Sequence, residues 1–258
     1  MRVDANGLSF NFRIDGPEGA PWLAFSNSLA TNLSMWEAQV AVLQGSFRIL
    51  RYDQRGHGGT QAPEGRYAFD LLVADVVALF DALSIQRAHF VGISMGGMTG
   101  LALAQRHPAR VDRLVACDCG SASTPASAQQ WEERIAVAAK GGMEPLVEVT
   151  ARRWFAPESA AARPEVFAQV CEMIRTTPVK GYIGCAGALA DYDLRPGLGS
   201  IDRPTLLLVG SKDATVPGMR LIHAGIPGSR LVELEGAGHL SNLEQPEAFT
   251  RELQDFLS

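Results

Sequence analysis

Ala88-His89-Phe90-Val91-Gly92-Ile93-Ser94-Met95-Gly96-Gly97 decides the reading of this chain. Its first six residues form a mostly apolar, strand-like run that leads directly into Gly-x-Ser-x-Gly. Met98, Leu101, Ala102 and Gln105 then continue with helical spacing. Strand, sharp turn and helix are the setting in which this motif lifts a serine hydroxyl clear of a sheet. Gly92 and Gly96 lack the Cβ atoms that would collide where the two backbones pass closely. The five-residue motif alone also fits an ordinary strand-to-helix loop. Its flanks make Ser94 a candidate nucleophile.

Outward from this point the chain alternates. Leu8–Ile14 switches apolar and polar residues, as a half-buried antiparallel strand does. Trp22–Phe25, Phe47–Tyr52, Val111–Cys117 and Thr205–Val209 are mostly apolar runs, suited to a sheet covered on both faces. Amphipathic helix patterns lie between and after them, at Ser34–Leu43, Phe69–Leu83, Met95–Gln105 and Pro246–Leu257. The expected fold class is α/β: a mostly parallel sheet with helices on both faces, opened by antiparallel strands. Residues 124–191 break the rhythm, with helical periods at Trp131–Ala139, Met143–Trp154 and Pro164–Thr176 and no strand. The expected division is a core of residues 1–123 and 192–258 with a helical cap at 124–191. Such a cap would cover the carboxyl edge of the strands, where open α/β sheets bind ligands.

A length of 258 residues suits one domain with an insertion, and the net charge of −5 speaks against nucleic acid or an anionic membrane as partner. An anionic small molecule stays open, because local arginines can outweigh a weak global field. The first residues contain no apolar signal-peptide region, and no uncharged stretch approaches the roughly 18 residues of a membrane span. Four scattered cysteines suit buried thiols in a reducing cytoplasm, the expected location. Cys117-x-Cys119 lacks a second pair of ligands, so no metal is expected. Oligomeric state is not legible.

A serine hydroxyl needs a base, and the base needs an orienting acid; with a serine on this kind of turn they follow in the order Ser, Asp or Glu, His. Asp213 lies just beyond the strand Leu206–Val209, and His239 sits in Gly236-Ala237-Gly238-His239 after Leu231–Leu234. Asp118, which follows Cys117, is a rival acid. His57 precedes Ser94 and would break the order, His89 falls inside a strand, His107 stands at a helix end, and His223 sits on a helix pattern. A tetrahedral oxyanion needs two backbone N–H donors. Met95 supplies one. Many hydrolases carry His-Gly in the loop after the strand Leu23–Phe25; with Asn27-Ser28 in that place, Leu29 supplies the other.

Along nearly its full length the chain resembles the α/β-hydrolase superfamily, including Tyr52-Asp53-Gln54-Arg55-Gly56-His57-Gly58 and Gly236-Ala237-Gly238-His239. More narrowly it is similar to the 3-oxoadipate enol-lactonases, through Ser26-Asn27-Ser28-Leu29, Leu33-Ser34-Met35-Trp36, Gly92 to Gly100 and Arg153-Trp154-Phe155. Gly181-Tyr182, Asp193-Leu194-Arg195 and His239-Leu240-Ser241-Asn242 continue the similarity. The resemblance implies lactone opening through an acyl-enzyme on Ser94, with no cofactor. It also implies a substrate carrying a carboxylate. Trp131 and Arg134, three residues apart on one helix pattern, are the expected wall and cation for that group, with Trp154 beside them and Arg153 and Arg175 as rival cations. Three departures stand out: Ala30 where glycine is expected, Thr60 for serine, and Asp118-Cys119-Gly120 for an Asn-Thr-Ala type of strand end. A broad carboxylesterase, another lactonase, a cofactor-free haloperoxidase or perhydrolase, and a non-catalytic binder remain alternatives.

Overall fold

The computed structural model describes residues 1–258. Its chain opens with two antiparallel strands, β1 (Arg2–Ala5) and β2 (Leu8–Asp15). Six more follow: β3 (Trp22–Ser26), β4 (Arg48–Tyr52), β5 (Ala88–Ile93), β6 (Val111–Cys117), β7 (Thr205–Gly210) and β8 (Arg230–Leu234). They form one sheet in the order β1-β2-β4-β3-β5-β6-β7-β8. β2 joins β4 antiparallel, and every pairing from β4 across to β8 is parallel. Burial follows the two sequence patterns. β2 alternates buried and half-buried positions over its first four residues, whereas β7 is buried at all six. β1 fits the expected antiparallel opening but, with only two apolar residues, was not singled out as a run, yet the sequence holds its signal. Asn6-Gly7, both at positive φ, is the two-residue turn that closes a hairpin.

Before the long helical stretch come α1 (Glu37–Leu43), α2 (Phe69–Ala82) and α3 (Met95–Arg106). The helix expected from Ser34 is instead a 3-10 turn, Leu33–Trp36, running into α1. The Asn32 side chain accepts the Ser34 N–H and tightens the entry. Between β6 and β7 lie α4 (Pro125–Gly141), α5 (Glu144–Trp154), α6 (Pro157–Ala162), α7 (Pro164–Thr176) and α8 (Val179–Ala190). Proline opens α4, α6 and α7, where its missing N–H would have no intrahelical partner. The chain closes with α9 (Val216–Gly225), α10 (Ser241–Glu244) and α11 (Pro246–Leu257). α1 packs with α11 and α2 with α3.

Neither α6 nor α8 was legible. α6 is too short to show a period. α8 is buried almost all round, so it has no polar face to reveal one. Its glycines serve approach instead. A Cβ on Gly181 would lie 1.9 Å from the Gly56 carbonyl oxygen, so the helix sits directly on the loop after β4. Because β3 and β5 to β8 run parallel, Leu29, Ser94, Asp118, Asp213 and His239 all follow strand ends at one edge.

Candidate active site

Ser94 stands between β5 and α3 with φ +54° and ψ −118°, a backbone conformation rarely adopted by residues with a side chain. Its N–H donates to the Cys117 carbonyl at 2.8 Å, which fastens the turn to the neighbouring strand. A Cβ on Gly92 would meet the Gly96 carbonyl oxygen at 2.1 Å, and one on Gly96 the Ser26 carbonyl oxygen at 2.2 Å. The elbow therefore closes only with glycine at both places.

The sheet edge then brings three distant side chains into line. Ser94 Oγ lies 2.9 Å from His239 Nε2, and His239 Nδ1 lies 2.9 Å from Asp213 Oδ2. The Thr215 hydroxyl also donates to Asp213 Oδ2, and the Thr215 backbone N–H reaches the same carboxylate. Burial pushes the Asp213 carboxyl up, but His239 and the Thr215 donors outweigh it, and the net shift is downward. Asp213 is thus held as an anion beside the imidazole. In this arrangement the imidazole can accept the serine proton while the carboxylate balances the resulting charge.

Asp118 has other partners. Fully buried at positive φ, its Oδ1 accepts the Gly210 N–H at 2.8 Å and its Oδ2 accepts the Ser241 hydroxyl. It ties the ends of β6 and β7 to the segment following His239. Burial, aided by the negative charge of Asp213, raises its carboxyl well above the ordinary range.

His57 is 1% exposed and lies outside this cluster, its Nε2 accepting the Ala30 N–H at 2.9 Å. His89 is in β5 with its ring edge-on to Phe47, and burial lowers its pKa. His107 is exposed just after α3, and His223 is exposed on α9.

The loop carrying Leu29 is pinned through Asn27. Its side chain donates to the Tyr52 carbonyl at 2.9 Å and accepts the Trp36 indole N–H at 2.9 Å. The Leu29 N–H finds no acceptor within the protein. Met95 opens α3, where the first N–H groups have no intrahelical carbonyl and the helix dipole is positive. Leu29, Ser94 and His239 share a cavity of about 350 Å³ with Trp131, Arg134 and Trp154. Arg134 lies over the Trp131 ring, 4.7 Å from its centroid, and burial lowers its pKa. It makes no ion pair, in contrast to Arg175, which bonds Glu144 and Glu172 outside the cavity. Arg153 also lines the cavity, from an exposed position on α5. No three His, Cys, Asp or Glu side chains converge as metal ligands would, and no helix is long and apolar enough to cross a membrane.

Residues 21–246 match the family model described as alpha/beta hydrolase fold. The chain belongs to that family. It is 38% identical to 3-oxoadipate enol-lactonase 2 of Acinetobacter baylyi, over 98% of this chain and 94% of the relative. It is 30% identical to a protein of Variovorax paradoxus provisionally named as a carbamate hydrolase, over 97% of each. Among solved structures, the enol-lactonase from Burkholderia xenovorans LB400 superposes with a TM-score of 0.96. The two are 41% identical, with 100% of this chain and 99% of that one covered.

Several residues that shape the site of this hydrolase escaped sequence reasoning. Glu244 accepts the Gly238 N–H at 3.0 Å and the Ala156 N–H at 2.8 Å, while the His239 N–H donates to the Trp154 carbonyl at 2.6 Å. The end of α5 is thereby bolted to the histidine loop, and the Trp154 ring stacks on His239 with centroids 5.9 Å apart. Ala156 and Glu244 are 88 positions apart, so no local pattern announces the link. The departures from the family pattern also find places. Thr60 uses its hydroxyl as serine would, donating to the Asp53 carbonyl at 2.8 Å and accepting the Asn11 N–H at 2.9 Å. Ala30 sits at φ +55°, a conformation glycine takes freely and alanine takes at a cost of about 1 kcal/mol. Gly120 and Tyr192 both line the cavity, and a Cβ at Gly120 would lie 2.8 Å from the Tyr192 hydroxyl. A side chain at this position would press on the Tyr192 hydroxyl and reshape this part of the wall.

Proposed function

We propose that this hydrolase opens an enol-lactone ring, with 3-oxoadipate enol-lactone as substrate, through an acyl-enzyme on Ser94. The observation that carries the reading is the cavity itself. An unpaired, half-buried arginine on an indole faces the same space as the Ser94–His239 pair. Likeness to the two enol-lactonases supports the same substrate.

Ser94 Oγ passes its proton to His239 Nε2 and bonds to the lactone carbonyl carbon, and Asp213 balances the imidazolium. The Leu29 and Met95 amides receive the oxyanion. As the carbonyl re-forms, the ring C–O bond breaks. The departing enolate is a better leaving group than a simple alkoxide. It takes the proton from His239 and tautomerises to the ketone. His239 then removes a proton from water, the hydroxide attacks the acyl carbon, and Ser94 recovers its proton as the acid leaves. Arg134 and Trp131 hold the substrate's carboxylate, and Trp154 walls the cavity beside His239. Residues 124–191, comprising α4 to α8, act as the cap over a core of residues 1–123 and 192–258. A cytoplasmic setting accords with four unpaired cysteines.

The test is a panel of the enol-lactone, its saturated analogue, a neutral aryl ester and a simple carbamate. The enol-lactone is expected to lead in kcat/KM by about 100-fold or more, and Ser94→Ala to lose about 10⁴-fold or more on every substrate. A preference for the aryl ester or the carbamate would overturn the substrate assignment. Turnover by Ser94→Ala would overturn the mechanism.

A further inference from the structure

The direction of the Leu29 N–H is set from the opposite end of its own peptide. A peptide unit is planar and trans, so the Ser28 carbonyl and the Leu29 N–H point opposite ways on one rigid plate. The Thr31 hydroxyl donates to the Ser28 carbonyl at 2.8 Å, and the Thr31 N–H approaches the same oxygen at 3.4 Å. Thr31 Oγ also lies 3.1 Å from Met35 Sδ, a much weaker acceptor.

The next plate is held as well. The Ala30 N–H donates to His57 Nε2, and His57 Nδ1 lies 3.0 Å from the Arg55 carbonyl. A carbonyl accepts only, so Nδ1 carries the proton and Nε2 is left as the acceptor that Ala30 requires. Burial lowers the pKa of His57, which favours that neutral ring. Thr31 and His57 are each 1% exposed, and neither lines the cavity.

We propose that Thr31 and His57 are positioning residues that aim the Leu29 amide at the oxyanion. Thr31 holds the carbonyl end of the donor plate, and His57 fixes the plate that follows it. This rests on the reading in which Ser94 is the nucleophile and Leu29 an oxyanion donor. Without the Thr31 hydroxyl the Ser28 carbonyl keeps only the long contact with the Thr31 N–H, and the loosened peptide points its N–H at the oxyanion for only part of the time. Complete loss of an oxyanion donor lowers kcat by about 10²–10³-fold, so a misaimed one loses about 10–100-fold.

The experiment compares Thr31→Val, close in shape but without the hydroxyl, with Thr31→Ser, which keeps it. kcat and KM are measured on the neutral aryl ester, with binding of an alkylboronic acid that forms a tetrahedral adduct on Ser94. Thr31→Val is expected to lose about 10–100-fold in kcat with KM within about threefold, and to bind the boronate correspondingly more weakly. Thr31→Ser is expected to return both values to within about threefold of the parent enzyme. Should Thr31→Val fail to fold by thermal melting, Thr31→Ala gives the same comparison. A folded Thr31→Val or Thr31→Ala enzyme with parental kcat and boronate affinity would overturn the proposal. So would a kcat loss that Thr31→Ser fails to restore. If Ser94→Ala is inactive in either case, the functional reading stands while this proposal falls. If Ser94→Ala turns over, the underlying reading falls first.

Discussion

Replacing Asp213 by asparagine separates the roles of the two aspartates near the histidine loop. Asp213 Oδ2 accepts from His239 Nδ1 at 2.9 Å and from the Thr215 hydroxyl, and the Thr215 N–H also donates to the carboxylate. An amide keeps one acceptor oxygen. Turned one way, its NH₂ faces His239 Nδ1 and forces the ring proton onto Nε2, where it blocks transfer from Ser94. Turned the other way, the amide oxygen keeps both Oδ2 contacts, but the NH₂ stands in place of Oδ1 and the negative charge that balances the imidazolium is lost. A charge-assisted hydrogen bond contributes about 1.5–3 kcal/mol, and an unsatisfied buried donor costs about 1–3 kcal/mol more. A combined loss of about 4 kcal/mol is about three decades in kcat. Asp118→Asn is the counterpart, because asparagine can keep both of that residue's bonds: oxygen to the Gly210 N–H, and NH₂ to a Ser241 hydroxyl turned to accept. Its kcat is expected within about threefold of the parent enzyme. Initial rates on the aryl ester, with circular dichroism to verify folding, measure both. If Asp118→Asn proved the more damaging substitution, the assignment of the orienting acid to Asp213 would be refuted.

Arg134→Ala is expected to raise KM for the carboxylated lactone by about 10-fold or more and to leave the neutral aryl ester within about twofold, as loss of a charge-assisted pair requires. Equal losses on both substrates would make Arg134 a support of α4 instead. Asp118 supplies a stability test. A carboxyl whose folded pKa is raised penalises folding increasingly as pH rises from the ordinary carboxylate value toward the raised one, and the penalty vanishes only as pH falls back to the ordinary value. Asparagine carries no such penalty. The melting temperature of Asp118→Asn relative to the parent should therefore rise between pH 5 and pH 8, by about 3 °C or more. A difference that stays flat with pH would contradict the raised carboxyl.

The sequence by itself determined what depends on neighbours along the chain. Backbone clearance at Gly92 and Gly96, the spacing of apolar residues in β2 to β8, and the order of Ser94, Asp213 and His239 are local or ordinal properties. They specified a largely parallel sheet and the loops that would carry chemistry. The helix α8 was hidden because burial all round removes the polar face that creates a helical period. The tertiary structure alone decided between Asp213 and Asp118 as partner of His239. Both follow strand ends, and only the packing of β6 against β7 turns Asp118 toward Gly210 and Ser241. It likewise set Arg175 aside, pairing it with Glu144 and Glu172 outside the cavity, and placed Arg134 on Trp131 at the cavity wall, which Arg153 also lines. The bonds from Glu244 to Ala156 and from Thr31 to Ser28 are equally invisible in advance. A hydrogen bond depends on angles and distances of a few ångströms that residue order does not encode, and the folded chain sets them by bringing distant backbone groups face to face.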